Sequence, residues 1–165
     1  MRFLLLVCLL FALLHAARAH AVVGSPAPEL AAKLLDRPEQ FRLSAHRDKA
    51  VIVNFWATWC TPCLAEMPAL QAYYAKHKAE GLEILAISMN ESRDLTAVRA
   101  VAKNFSFPIA MKSDSDFKGL GRIWRMPSTF VVDKQGVLRK HGSTGEAEVT
   151  LDSLESLVTP MLSER

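Results

Sequence analysis

The chain has 165 residues, 50% of them hydrophobic, and a formal net charge of +3 at pH 7. This length suits one domain with a full core and is too short for two comfortable ones. The sequence contains no stripe of lysine or arginine, so it gives no support to nucleic-acid binding.

The first 19 residues are typical of a cleavable secretory signal. Arg2 precedes an apolar run over residues 3–14 that is too short to span a bilayer, and Ala17-Arg18-Ala19 supplies small residues for cleavage. We therefore expect a signal peptide at residues 1–19 and one domain at residues 20–165. Removing the signal takes away two arginines and lowers the formal charge to about +1.

Cleavage would leave a single pair of cysteines. Cys8 lies inside the apolar run rather than after it, which argues against a lipid anchor, and it is lost with the signal. Cys60 and Cys63 then have no other thiol to meet within the molecule. A structural disulfide that closes so small a loop would remove little chain entropy, so stabilising the fold is a poor explanation for this pair.

The first half of the domain contains the strongest secondary-structure signals. Residues 24–28 suit an extended lead-in, and residues 29–49 are weakly patterned and suit short pieces that cover an edge of the sheet. Residues 50–57 form an apolar run rich in β-branched and aromatic side chains, which predicts a buried central strand. A helix over residues 61–79 should stop at Gly81, and a second strand should follow over residues 82–89.

The second half is predicted to alternate in the same way and to end with a hairpin and a helix. The expected elements are a helix over 94–104, a strand over 107–111, a short helix over 116–123, hairpin strands over 128–133 and 137–141, and a helix over 147–162. This order predicts an α/β domain with a central mixed sheet between helical layers.

The dithiol is predicted to lie where the central strand gives way to a helix. Unpaired N–H groups and the positive end of the helix dipole stabilise a thiolate there. Cys60 precedes the first turn and should be the attacking thiol, whereas Cys63 lies one turn inside and should resolve the mixed disulfide. Pro62 lacks an N–H and Thr61 brings no positive charge, so weak thiolate stabilisation favours an electron donor.

Three segments together resemble one known family. They read NFWATWCTPC at residues 54–63, EMP at residues 66–68 and MPSTF at residues 126–130. In this order they resemble the exported thioredoxin-like thiol-disulfide oxidoreductases of the TlpA/ResA type, which include the CcmG/DsbE-type reductants of cytochrome c maturation. The resemblance covers the whole mature chain and implies a thioredoxin-like fold in which residues 91–125 form an inserted strand and helix.

The resemblance also implies roles for residues near the cysteines. Asn54 stands where thioredoxins usually carry a buried aspartate, and Glu66 matches the glutamate of the exported branch, one turn after Cys63. A partly buried Glu66 would have a raised pKa and could take the proton of Cys63, although a solvated glutamate in the first turn is the alternative. Pro127 matches a cis proline that lies against the cysteines, and Met126 would offer backbone hydrogen bonds to an extended substrate.

The tryptophans and histidines carry weaker signals. Trp59 is expected to shield the dithiol and bind substrate, whereas Trp56 suits the core equally well and Trp124 suits packing of the inserted segment. The remaining histidines of the domain are expected on the surface: His46, His77 and His141.

We therefore expect a periplasmic, monomeric protein disulfide reductase that holds no cofactor and no metal. The resemblance implies that electrons come from a membrane dithiol donor of the DsbD/CcdA type. They would pass to a protein disulfide, for which the CxxCH segment of apocytochrome c is a leading candidate.

Three other kinds of thiol site fit the sequence less well. A thiol peroxidase usually has threonine and proline where this chain has Ala57 and Val53. Copper-delivery relatives favour CxxxC with a distant histidine, and this chain has CxxC. A structural zinc site needs four ligands, and the sequence has neither a second CxxC nor HxxxH.

Overall fold

Seven strands form one mixed sheet in the computed structural model, which describes residues 21–163. The strands are β1 (Ala31–Leu34), β2 (Gln40–Arg42), β3 (Ala50–Trp56), β4 (Leu82–Ser88), β5 (Ile109–Asp116), β6 (Ser128–Val132) and β7 (Leu138–Lys140). Their order is β2-β1-β5-β4-β3-β6-β7, with β3, β4 and β5 parallel and all other neighbours antiparallel. The predicted signal peptide lies outside the described residues.

Helices of two kinds complete the fold. The α-helices are α1 (Thr61–His77), α2 (Leu95–Ala102), α3 (Leu151–Leu157) and α4 (Thr159–Ser163). Short 3-10 helices occupy Leu43–His46, Lys78–Glu80, Ser92–Asp94 and Lys118–Leu120. Within residues 21–163, no helix has the length and apolar character needed to cross a bilayer.

The central strand β3 is buried along its whole length because a packed layer covers each face of the sheet. Ile52 and Trp56 face an apolar cluster that includes buried side chains from all four α-helices. Val53 and Phe55 face a second cluster, which the N-terminal segment and two of the 3-10 helices help to close. The predicted α/β architecture with a central mixed sheet is confirmed, and the chain after β3 places both cysteines at the margin of the first cluster, where Cys60 keeps a small exposed fraction.

Long-range pairing overturns one local prediction. The strand expected over 107–111 runs on to Asp116 because its second half pairs with β1, where Ala31 lies opposite Asp116 and Ala32 opposite Ser115. The helix expected over 116–123 is therefore wrong. Only the 3-10 helix Lys118–Leu120 forms there, and Gly121 follows with a positive φ of 84°.

The terminal helix is shorter than predicted and is divided in two. It begins at Leu151 rather than at residue 147, because the Thr150 and Ser153 side chains cap its first turn. α3 ends at Leu157 and α4 begins at Thr159. Pro160 lacks the N–H that a continuous helix would need at this point.

Candidate active site

The two cysteines lie at the junction between β3 and α1, as predicted. Cys60 is the N-cap of α1 in an extended conformation, and its N–H donates to the carbonyl oxygen of Ala57 at 3.1 Å. Cys60 and Cys63 are joined by a disulfide, with their Cα atoms 5.2 Å apart. The strand therefore delivers Cys60 to the helix N-terminus, and the first turn brings Cys63 back against it.

Burial and hydrogen bonding distinguish the two sulfurs. Cys63 is completely buried, whereas Cys60 retains 5% exposure and lines a surface groove. The Cys63 N–H points at Cys60 Sγ with a donor–acceptor distance of 3.3 Å. Because Pro62 supplies no N–H, this is the one donor to Cys60 Sγ among the described residues, and it is a neutral one.

A polar cluster that the sequence reading missed holds the turn before Cys60. The buried Asn90 accepts the Thr58 N–H at 2.9 Å and donates to Thr58 Oγ1 at 2.8 Å. Ser88 Oγ donates to the same Asn90 oxygen at 3.0 Å. Ser88 ends β4 and Asn90 follows it, so these residues share with Cys60 the edge where the parallel strands end. Their place at the end of a predicted parallel strand is the feature of the sequence from which Ser88 and Asn90 could have been predicted as site residues.

Glu66 belongs to the same helix as Cys63 and is buried, so it is not the solvated first-turn glutamate of the alternative interpretation. It is 4% exposed and lies one turn after Cys63 on α1. Its Oε1 accepts a hydrogen bond from Asn54 Nδ2 at 2.6 Å, and its Oε2 accepts one from the Val149 N–H at 2.8 Å. Burial raises the pKa of Glu66 from 4.5 to about 7, against the lowering effect of these two hydrogen bonds.

Asn54, which stands where thioredoxins usually carry a buried aspartate, is a neutral hydrogen-bond partner of Glu66. Its Nδ2 donates to Thr129 Oγ1 at 3.0 Å as well as to Glu66, and Thr129 lies opposite Asn54 in the β3–β6 pairing. Its Oδ1 is buried without a hydrogen-bond partner among the described residues. Glu66 is therefore in contact with an amide rather than with a second carboxylate, and it can carry or release a proton on its own.

The Met126-Pro127 peptide is cis, and it leads into β6. Because β6 pairs with β3, this peptide lies beside the strand that ends at the cysteines. Trp59, which is 65% exposed, and Met126 line one groove of about 250 Å³ together with Cys60. The structure thus brings three of the predicted site residues, Trp59, Cys60 and Met126, to one groove.

The predictions for Trp124 and His77 are wrong, and the structure decides between the two alternatives for Trp56. Trp124 does not pack inside the inserted segment: it is 66% exposed and lines the same groove as Trp59. His77 is buried rather than on the surface, because its ring nitrogens face Glu80 and Glu155 across the end of α1. Trp56 belongs to the core.

The described residues contain no group of three or more histidine, cysteine, aspartate or glutamate side chains placed to hold a metal ion. The described site consists of a disulfide-forming cysteine pair and, three residues after Cys63 on α1, a carboxyl group of raised pKa.

Known proteins resemble the chain in sequence and in fold. The model of the AhpC/TSA family matches residues 23–141. The thiol-disulfide oxidoreductase ResA of Oceanobacillus iheyensis is 31% identical over 146 residues, which cover 87% of this chain and 74% of that protein. ResA of Geobacillus kaustophilus is 36% identical over 120 residues, covering 72% and 67% of the two chains.

Solved structures extend the likeness to the fold. A secreted thiol-disulfide isomerase from Corynebacterium glutamicum superposes with a TM-score of 0.69 at 26% identity, covering 84% of this chain and 86% of that one. A thiol:disulfide interchange protein of the thioredoxin family from Chlorobium tepidum gives a TM-score of 0.68 at 23% identity, covering 84% and 97%. The predicted thioredoxin-like fold is confirmed.

Proposed function

The chain belongs to the AhpC/TSA family and is a thiol-disulfide oxidoreductase, and we propose that it works as a protein disulfide reductase in the periplasm. The proposal rests on the weak stabilisation that the groups around the cysteines would give to a thiolate. Cys60 Sγ receives one neutral donor, and the nearby Glu66 carboxyl has a pKa of about 7. Neither group strongly stabilises a thiolate, and a dithiol whose reduced form is weakly stabilised gives up its electrons readily.

The catalytic cycle starts from the reduced dithiol. The Cys60 thiolate attacks one sulfur of a client disulfide, the client S–S bond breaks, and the other client sulfur leaves as a thiolate that takes up a proton. Glu66 then accepts the proton of Cys63, so the Cys63 thiolate can attack Cys60 Sγ in the mixed disulfide. The mixed disulfide breaks, and the client's second sulfur leaves as a thiolate that takes up a proton. Two electrons have passed to the client, and Cys60 and Cys63 are joined as a disulfide.

The edge next to the cis peptide supports binding of an extended client. In the part of the chain that the structure describes, neither the N–H nor the C=O of Met126 makes a backbone hydrogen bond. These groups can pair with an extended segment, as an exposed sheet edge does in β-strand addition. Met126 and Pro127 therefore serve as the docking edge beside Cys60, and Trp59 contributes apolar contact.

The location and partners in this proposal come from the signal-like residues 1–19 and from the family. The mature protein begins after residue 19 and works as a monomer outside the cytoplasm. A membrane dithiol protein of the DsbD/CcdA type returns electrons to the Cys60–Cys63 disulfide. Apocytochrome c, whose haem-binding CxxCH segment forms a disulfide, is the candidate client.

The direction of electron flow is tested by equilibrating the protein with defined ratios of reduced and oxidised glutathione. We expect a midpoint potential nearer to the roughly −270 mV of thioredoxin than to the roughly −120 mV of DsbA. A value close to that of DsbA would overturn the reductase assignment.

The client is tested by trapping mixed disulfides in cells. Cys63→Ser leaves Cys60 able to attack but removes the thiol that resolves the intermediate, so client proteins should remain attached. Cys60→Ser, which lacks the attacking thiol, is the matched control and should retain none. Recovery of the same proteins with both variants would contradict the assigned roles, and clients other than apocytochrome c would redirect the proposal.

A further inference from the structure

Two of the few exposed large apolar side chains flank the reactive sulfur. Among residues 21–163, the exposed large hydrophobic residues are Val22, Val23, Trp59, Trp124 and Leu151. The two tryptophans are the largest of these, and both line the groove that contains Cys60. Exposed apolar surface costs free energy in water, and contiguous exposure of this kind marks interaction sites. A contact partner for both rings must therefore approach the sulfur that reacts.

The groove suits side chains of a polypeptide better than a free small molecule. Its volume of about 250 Å³ lies below the roughly 300–1,000 Å³ of typical small-molecule pockets. Apart from Arg125, its lining consists of apolar side chains and Cys60: Trp59, Met89, Ile123, Trp124 and Met126. Met126 belongs both to this lining and to the docking edge, so a client segment that pairs with Met126 continues into the groove.

Arg125 gives the groove one positive charge. Its guanidinium carbon lies 5.6 Å from the centre of the Trp124 ring. Arg125 Nε donates to the Gly142 carbonyl at 3.1 Å, and Nη2 donates to the Gly145 carbonyl at 2.9 Å. These acceptors are neutral, and no ion pair between described residues includes Arg125. The charge is thus fixed in position and is available to an anion of the client.

We propose that this groove selects clients whose reacting cysteine lies next to a large apolar side chain and near a carboxylate. The apolar side chain contacts Trp59 and Trp124, and the carboxylate pairs with Arg125. An extended segment advances about 3.3 Å per residue, so residues next to the attacked cysteine reach the groove while that cysteine is at Cys60. This inference rests on the proposed function, because it requires a protein disulfide as substrate.

The test uses short peptides that each carry one cysteine as a mixed disulfide with 2-mercaptoethanol. The four peptides combine Phe or Ser next to the cysteine with Asp or Lys two residues further on. Single-turnover rates with the fully reduced protein are divided, for each variant, by its rate with bis(2-hydroxyethyl) disulfide, which has neither a side chain nor a charge. We expect the Phe/Asp peptide to react at least about tenfold faster than the Ser/Lys peptide.

Three variants of the groove and one control variant separate the two parts of the proposal. Trp124→Ala should lower the Phe-over-Ser rate ratio by at least about fivefold, whereas Leu151→Ala, an exposed apolar residue outside the groove, should leave that ratio unchanged. Arg125→Gln should bring the Asp-over-Lys ratio close to one, and Arg125→Glu should reverse it. Ratios within one variant do not depend on how much of it is folded.

The outcomes distinguish this inference from the function on which it rests. Equal rates for all four peptides, or a Phe preference that survives Trp124→Ala, would overturn the docking proposal and leave the reductase assignment standing. A wild-type protein that reduces bis(2-hydroxyethyl) disulfide but none of the peptides would contradict the protein disulfide reductase function itself.

Discussion

Glu66 is the residue at which burial and charge conflict most strongly. An ionised carboxylate loses hydration when it is 4% exposed, and two hydrogen bonds, from Asn54 and Val149, offset part of that loss. The balance leaves the pKa of Glu66 at about 7, where the group can both accept and release a proton near neutral pH. Asn54 permits this balance because an amide, unlike a second carboxylate, can donate to the charged form.

The raised pKa of Glu66 predicts how the free energy of unfolding depends on pH. Between pH 4.5 and about 7 the folded protein holds a proton on Glu66 that the unfolded chain has released, so the free energy of unfolding falls as pH rises through this window. Glu66→Gln removes the titration. The wild type's stability relative to this variant should therefore decline by about 3 kcal/mol from pH 4 to pH 8.

Urea unfolding of the oxidised proteins at several pH values measures this decline. Glu39→Gln removes an exposed carboxyl and controls for the general change in charge. Wild-type and Glu66→Gln stabilities that run parallel across pH 4 to 8 would show that the carboxyl of Glu66 is not perturbed by its burial.

The residues of the site differ in how far the sequence could specify them. Cys60, Cys63 and Glu66 are close together along one helix, so their spacing predicted that Glu66 shares a face with Cys63, whereas its proton-transfer role was implied by the family resemblance. Val149 is 83 residues from its partner Glu66, and no local pattern records that contact. Trp124 was assigned to packing because a large aromatic side chain is most often buried, and only the fold shows that its position faces the groove.

At the scale of elements, the start of α3 links stability to the active site. Thr150 Oγ1 accepts the Ser153 N–H at 3.1 Å, and Ser153 Oγ accepts the Thr150 N–H at 2.9 Å, which together form a capping box. Val149, the residue before this cap, donates its N–H to Glu66. The cap therefore fixes the chain where it supplies one of the two hydrogen bonds to the buried carboxyl.

Thr150→Ala should lower the free energy of unfolding by about 1 kcal/mol, because the first turn of α3 loses its side-chain acceptor. It should also raise the pKa of Glu66, since a less fixed Val149 N–H stabilises the carboxylate less well. Urea unfolding and a ¹³C NMR titration of the glutamate carboxyls measure the two effects. Thr96→Ala, an exposed threonine of α2, is the control and should change neither. A loss of stability with the pKa of Glu66 unchanged would separate the cap from the site.

Elements with strong local signals were predictable, and those that depend on distant partners were not. β3 is an apolar run interrupted by Asn54 alone, and the helical stretch after it stops at Gly81, whose φ of 94° is the left-handed conformation that ends helices. The second half of β5 is polar and exposed, and it is a strand only because β1 pairs with it. Local sequence patterns are therefore enough to predict an element such as β3, but they do not predict a strand such as the second half of β5, which depends on its pairing with β1.

At the scale of the whole molecule, the sheet order assembles the site from three separate parts of the chain. β3 carries Cys60, its parallel neighbour β4 leads to Asn90, and its antiparallel neighbour β6 is preceded by Met126 and Pro127. The cysteines thus lie beyond the end of β3, and the segments that follow β4 and precede β6 lie beside that end of the sheet. We therefore expect the redox state of the cysteines to be coupled to the stability of the whole fold rather than to that of one loop.

This coupling gives a prediction for the entire domain. Folding can favour the disulfide over the dithiol only if the oxidised protein is more stable than the reduced one, by about 1.4 kcal/mol for every 30 mV by which folding lowers the potential. The reduced state must hold the Cys63 thiol at zero exposure, and Cys60 Sγ receives one neutral donor in the oxidised structure. We therefore expect the oxidised protein to unfold at a higher urea concentration than the protein kept in dithiothreitol at pH 7.

The double variant Cys60→Ser, Cys63→Ser is the control and should unfold at the same urea concentration with and without dithiothreitol. A reduced protein more stable than the oxidised one would mean that folding favours the dithiol, as in a strong oxidant such as DsbA, and the direction of electron flow would be the opposite of that proposed.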